Sequence, residues 1–274
     1  MNSITIGPFA LSTPLFIILL TLLCSVSLAW LLEKKYQVNV EKRVWLTAVA
    51  GLVVARVVFV GQYWEQYQDH LLGVLDIRDG GFSVYAGLLA SLLMALYLGV
   101  KSVGQQRMTF ALTVMTAVVI GGSTFLWLGV YKKEVQPLPL QTQLQNPWAT
   151  SADQQMVTLE NFSGQPMVIN LWASWCPPCR REMPVFETAQ NEHPNVNFIY
   201  ANQQERAETV DKFLSEQQLN LQHVLLDSDA ELARFARSRG LPTTLFVNSD
   251  GSVQAIRMGE VSRATLTQYI EQLR

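Results

Sequence analysis

Four stretches within the first 131 residues are each about twenty residues long, strongly apolar and poor in charge, and this pattern constrains the chain more than any other feature. Crossing the hydrocarbon core of a bilayer as a helix takes about 20 apolar residues. Residues 9–32, 44–62, 82–100 and 108–131 meet that length. The expected fold is an α-helical transmembrane domain of about four spans over residues 1–133, followed by a water-soluble half. No Lys or Arg precedes residue 9, so the basic start of a cleaved secretory signal is missing. Leu23 stands before Cys24, where a lipoprotein signal carries a small residue. The first stretch is therefore expected to remain as a helix, with Cys24 an inert apolar side chain.

Basic residues in short loops set orientation, because they stay on the cytoplasmic side. Lys34, Lys35, Lys42 and Arg43 follow the first stretch, and Lys101 and Arg107 follow the third. Between the second and third lie Asp69, Asp76 and Asp79, with Arg78 the sole Lys or Arg. Both termini are thus expected outside the cytoplasmic membrane, against the opposing vote of Lys132 and Lys133. Arg56 lies inside the second stretch. An ionisable residue there is a functional candidate by default; the plainer expectation is that it snorkels outward or pairs with Asp76 or Asp79.

Residues 134–155 contain Pro137, Pro139 and Pro147 and many Gln, and read as a solvated tether. From residue 156 onward strand and helix patterns alternate. Strands are expected at 167–173, 196–201 and 221–226, and helices at 177–191, 207–217, 230–239 and 263–273. A hairpin of 243–248 and 253–258 turns at Ser249-Asp250-Gly251. This order predicts an α/β domain with a mixed sheet over 156–274. The net charge of −2 gives no basic surface for nucleic acid, which is not an expected partner.

Of three cysteines, two form Trp175-Cys176-Pro177-Pro178-Cys179 at the junction of a strand and a helix. Cys176 falls at the helix N-terminus, where unpaired N–H groups and the macrodipole favour a thiolate. Pro177 and Pro178 suit the first turn. Cys179, one turn further on, can attack a mixed disulfide formed at Cys176. The expected roles are nucleophile for Cys176 and resolving thiol for Cys179. Half a zinc site has the same spacing, but the soluble half offers no second cysteine pair, and His193 and His223 are far apart in sequence. No metal and no cofactor are expected.

With Phe162-Ser163-Gly164, Glu182-Met183-Pro184, Gly240-Leu241-Pro242-Thr243-Thr244 and Asp250-Gly251, this half resembles the TlpA/ResA-like branch of thioredoxin-fold proteins. The resemblance covers nearly all of 156–274, and residues 196–226 resemble that branch's extra strand–helix insertion. It implies a membrane-tethered reductase in the cell envelope, serving cytochrome c maturation, copper-site assembly or thiol upkeep. It also implies a cis bond before Pro242 beside the disulfide, with the Leu241 backbone open to a substrate strand and Trp175 at the same binding edge. Asn170 stands where thioredoxin has a buried, proton-moving Asp. Glu182 matches the acidic residue of the ResA-like reductases, three residues after Cys179 on one helix face. It is expected either to tune or deprotonate Cys179, or to be a solvated glutamate paired with an Arg. Arg180 and Arg181 are expected as surface charges.

The membrane half is similar to the prolipoprotein diacylglyceryl transferases, in Gly7-Pro8-Phe9-Ala10, in Ala55-Arg56-Val57-Val58-Phe59-Val60 and in residues 79–88. Tyr85-Ala86-Gly87 departs from that family's His before a Gly pair, and its later polar signature has no counterpart near Gly121-Gly122-Ser123. The implied role is an inactive anchor in the lipid bilayer. With one cysteine, this half cannot relay electrons by a dithiol pair. Reducing power for disulfide-bearing clients is therefore expected from a separate transmembrane donor of the DsbD-like kind. The competing expectations are a tethered disulfide oxidase, a lipoprotein-modifying diacylglyceryl transferase and a non-catalytic holdase.

Overall fold

A computed structural model describes residues 3–6, 9–68, 71–131, 137–150 and 155–274. Asp69, Lys132, Lys133, Gly7, Pro8 and part of the expected tether lie outside these residues. The chain divides into two compact units, Met1–Glu134 and Val135–Arg274.

The first unit opens with a small antiparallel pair, β1 (Ser3–Ile6) and β2 (Phe9–Ser12). Four helices follow: α1 (Thr13–Tyr36), α2 (Glu41–Gln62), α3 (Val84–Val100) and α4 (Gly104–Tyr131). The expected first span begins too early, since residues 9–12 are strand. It also ends too early, because Lys34 and Lys35 extend α1 by a turn, where cations suit a helix C-terminus. Among the described residues three helices are long and apolar enough to cross a membrane, through Ile17–Tyr36, Glu41–Gln62 and Gly104–Thr124. The expected third span is an apolar helix of 17 residues, about 26 Å long at 1.5 Å per residue.

Small residues let α2 and α3 approach closely. A Cβ on Gly87 would lie 2.9 Å from that of Ala55, and one on Gly51 would meet Gly87 O at 3.0 Å. Arg43 ties the two basic loops together. Its guanidinium donates to Leu98 O (2.7 Å), Ser102 Oγ (2.6 Å) and Gln106 Oε1 (3.3 Å), so both loops share one end of the helices.

The opposite end is organised by Arg56, which is buried. It donates to both Asp79 carboxylate oxygens (3.0 and 3.2 Å) and to the carbonyls of Gly73, Val74, Asp76 and Gly81. Tyr67 Oη donates to the same carboxylate at 3.0 Å. Arg56 thus pairs with Asp79 and also donates to the backbone carbonyl of Asp76.

The second unit is a seven-stranded mixed sheet in the order β4-β3-β7-β6-β5-β8-β9. Its strands are β3 (Gln143–Gln145), β4 (Met156–Thr158), β5 (Met167–Trp172), β6 (Asn197–Gln203), β7 (His223–Asp227), β8 (Thr243–Val247) and β9 (Val253–Met258). β5, β6 and β7 are parallel, and the other pairings are antiparallel. The helices are α5 (Pro177–Glu192), α6 (Ala207–Gln217), α7 (Glu231–Phe235) and α8 (Arg263–Ile270). Every residue of β5 is buried, as a strand with cover on both faces must be. One apolar cluster includes Trp172, Cys176, Cys179, Met183, Phe186 and Phe213; the other includes Leu144, Leu159, Ile169 and Leu245.

The expected tether over 134–155 is corrected here. β3 lies within it and joins the sheet between β4 and β7, with Leu144 fully buried and Leu138 nearly so. Pro137 bridges Ser252, and Leu138 N–H donates to Gly251 O at 3.0 Å. Burying two leucines outweighs the freedom that a proline- and glutamine-rich composition would keep.

Candidate functional site

β5 ends at Trp172, and Ala173, Ser174 and Trp175 turn the chain into α5. Cys176 is the N-cap, in an extended conformation (φ −88°, ψ 108°), and its Sγ accepts the Cys179 N–H at 3.3 Å. Pro177 and Pro178 occupy the first two helical positions, where an absent N–H leaves nothing unsatisfied. The two sulfurs are joined in a disulfide of 2.10 Å. Cys176 is 3% exposed and Cys179 fully buried, whereas Trp175 beside them is 67% exposed.

β8 runs antiparallel to β5, with Thr243 opposite Leu171. That register brings the Leu241–Pro242 bond to the end of the sheet where the cysteine loop begins. The bond is cis. Leu241 is half-buried against the apolar cluster that contains both cysteines, and Pro242 O accepts from Gly259 N–H at 2.9 Å. The structure therefore gathers Trp175, Cys176, Cys179, Leu241 and Pro242 at one pole of the sheet.

Glu182 lies beneath them. It shares a helical stripe with Cys179, Met183 and Phe186, all fully buried. Its Oε1 accepts from Asn170 Nδ2 (2.8 Å) and its Oε2 from Val261 N–H (3.0 Å). Burial pushes its pKa up to about 8, against the downward pull of those two hydrogen bonds. The solvated alternative is excluded by this burial. Asn170 Nδ2 also donates to Thr244 Oγ1 (3.2 Å), which connects Glu182 to the strand behind Pro242, while Asn170 Oδ1 has no hydrogen-bond partner among the described residues. Arg181 is a surface charge that pairs with Glu260 at 2.6 Å. The exposed Arg180 lies over the Phe213 ring, 5.5 Å from its centroid. Among the described residues no cluster of His, Cys, Asp or Glu could hold a metal ion.

Sequence reasoning missed two parts of this region. Val261 contributes only its backbone N–H, which leaves no mark in a sequence. Glu205 reaches the cysteine loop from the far end of β6; its proximity to the polar Asn202 and Gln203 at the strand's close is the one local sign of it.

A redoxin family model matches residues 137–273, half of the chain and all of the site just described. The chain belongs to the redoxin family. A second model, prolipoprotein diacylglyceryl transferase, matches residues 2–131. Among curated relatives, the sporulation thiol-disulfide oxidoreductase A of Bacillus subtilis is 27% identical over 114 residues, covering 40% of this chain and 68% of that protein. The thiol-disulfide oxidoreductase ResA of Bacillus thuringiensis is 23% identical over 171 residues, covering 62% and 98%. ResA of Oceanobacillus iheyensis is matched over 64% of its own length, just under two thirds. Among solved structures, StoA from Bacillus subtilis aligns with a TM-score of 0.41 at 23% identity, over 49% of this chain and 98% of that one.

The redoxin half thus joins a disulfide at a helix N-terminus to a neighbouring cis-proline, in a protein whose other half supplies membrane-span candidates. Such an arrangement can carry out thiol–disulfide exchange. A thiolate at Cys176 would receive the Cys179 N–H and the helix dipole, both of which favour the charged form.

Proposed function

We propose that the chain is a membrane-anchored thiol–disulfide oxidoreductase that reduces disulfides of client proteins on the outer side of the cytoplasmic membrane. The observation that carries this reading is the seating of the Cys176 sulfur as helix N-cap, beside the cis Leu241–Pro242 bond. In the reduced protein, the Cys176 thiolate attacks one sulfur of a client disulfide. A mixed disulfide forms, and the client's other sulfur leaves as a thiolate that takes up a proton. Cys179 then loses its proton and attacks Cys176 Sγ; the client departs as a dithiol and the Cys176–Cys179 disulfide closes. Two electrons and two protons must return from outside the chain. Cys24 is the one remaining cysteine, so a separate transmembrane dithiol donor of the DsbD-like kind is the proposed source. Glu182, with its raised pKa, is the proposed proton acceptor or electrostatic tuner for Cys179.

The outward orientation is supported by Arg43, which holds the two basic loops at one end of the helices, where the cytoplasm would lie. Replacing Cys179 by Ala in the full-length protein should leave clients covalently attached through Cys176, releasable by dithiothreitol. Absence of any trapped adduct from envelope-localised protein, with Cys176 shown to be free and reduced, would remove the reading. Measuring the equilibrium with glutathione separates direction: a pair lying well below the glutathione couple reduces clients, and one well above it oxidises them.

A further inference from the structure

Ser174 sits two residues before Cys176, in the turn that carries the exposed Trp175. Both of its polar groups meet one carboxylate. The Ser174 N–H donates to Glu205 Oε2 at 2.7 Å, and the Ser174 hydroxyl donates to Oε1 at 2.6 Å. A third donor, Asn202 Nδ2, reaches Oε2 at 2.8 Å. Asn202 is the register partner of Trp172, so the two parallel strands finish level with each other. Glu205 then bridges from just past one strand to just past the other. Gln204 takes a left-handed conformation (φ +61°), which is disfavoured for a residue with a side chain and turns Glu205 back toward the neighbouring loop. Hydrogen bonds to a charged acceptor are short and about twice as strong as neutral ones.

We propose that Glu205 is a positioning residue for the redox loop: its two-point grip on Ser174 sets how Trp175 and the Cys176 sulfur are presented to a client. The inference rests on the oxidoreductase reading above and adds a determinant of client engagement from an element outside the Cys-Pro-Pro-Cys segment. It acts through the loop and touches no reacting atom. The grip needs an acceptor for the Ser174 N–H and a partner for its hydroxyl. A glutamine supplies both, because its Oε1 can accept from the N–H while its Nε2 donates to the hydroxyl oxygen. An alanine supplies neither.

The test uses the full-length protein in detergent, with Glu205→Ala, Glu205→Gln and Ser174→Ala compared with the unaltered chain. Three quantities are read: KM and kcat for a labelled disulfide peptide with dithiothreitol as the two-electron reductant that reopens Cys176–Cys179, the equilibrium constant with glutathione, and the pH profile of Cys176 alkylation. Glu205→Ala is expected to raise KM about 10-fold and shift the glutathione equilibrium several-fold, the loss of roughly one charge-assisted bond. Glu205→Gln should restore all three to within about 2-fold, and Ser174→Ala should raise KM about 3-fold. Should Glu205→Ala not fold, Ser174→Ala and Glu205→Gln carry the test. The proposal is overturned if Glu205→Ala or Ser174→Ala leaves every readout unchanged, or if Glu205→Gln is as impaired as the alanine variant, since charge and not grip would then matter. Failure of the unaltered protein to reduce the peptide sinks the oxidoreductase reading itself. In that event the alkylation profiles still report on the grip.

Discussion

Each half of the molecule buries an ionisable side chain, and the two are treated in opposite ways. Arg56, in the membrane unit, meets a full carboxylate and four backbone carbonyls, and the rings of Phe59, Tyr67 and Phe82 lie within 6 Å of its guanidinium. Glu182, in the redoxin unit, accepts hydrogen bonds from an amide and a backbone N–H, while the charges of Glu260 and Arg257 act on it in opposite senses. A guanidinium surrounded by acceptors is locked into place and holds the loop between α2 and α3 against α2. For the Glu182 carboxylate, burial outweighs the downward pull of its two hydrogen bonds, and its pKa is pushed up to about 8. Burial alone therefore does not set how an ionisable group behaves; the partners it meets do as well.

The largest effect that tests this contrast is expected from Asp79→Ala. It strands Arg56 as a buried cation and should cost about 3–5 kcal/mol, read as a loss of thermal stability in detergent, with the redox equilibrium of Cys176–Cys179 unchanged. A variant of ordinary stability would break the comparison. Next comes Glu182→Gln. The folded pKa lies above the ordinary value of 4.5, so the folded state holds more protons between pH 4.5 and about 8. Stability of the oxidised protein should fall as pH rises through that window, by up to a few kcal/mol, and level off above it. The glutamine variant should lack this slope in a series of melting curves. A smaller loss, about 1–3 kcal/mol, is expected for Arg56→Lys, which keeps the charge but loses the fork that reaches several acceptors. The smallest belongs to Arg181→Ala, whose bond to Glu260 lies at the surface and should contribute at most about 1 kcal/mol, measurable by chemical denaturation.

Much of this was legible in the sequence because it rests on strong local signals. Apolar runs marked the membrane unit, a Trp-Cys-Pro-Pro-Cys between strand and helix placed the sulfurs, and Asp250-Gly251 placed the hairpin turn, where Gly251 adopts φ +79°. The same reasoning failed where signals were weak. β3 is three residues long and points only Leu144 inward between two exposed glutamines, so neither alternation nor hydrophobicity could accumulate. The helix expected over 230–239 is only Glu231–Phe235. Ala230 and Arg237 both adopt left-handed backbone angles, and the Asp227 carboxylate accepts the N–H groups of Glu231 and Leu232. Those are tertiary decisions. Glu182 lay between the two: its spacing from Cys179 was readable, but its depth was set by the β9–α8 turn that delivers Val261. Leu144→Ala measures how firmly the misread segment is built in, with a loss of about 2–5 kcal/mol in the redoxin unit expected if it is core.

The bridge from Pro137 to Ser252 fixes where the described chain joins the sheet of the redoxin unit. Ser252 lies in the turn beyond Val247, whereas Pro242 precedes the opposite end of the same strand. Five residues of extended chain separate the two ends, roughly 16 Å at the usual rise. Within the unit, Pro137 is therefore held at one pole and the sulfurs at the other. The first described residues of this unit and its reactive sulfurs thus lie at opposite ends of a single strand.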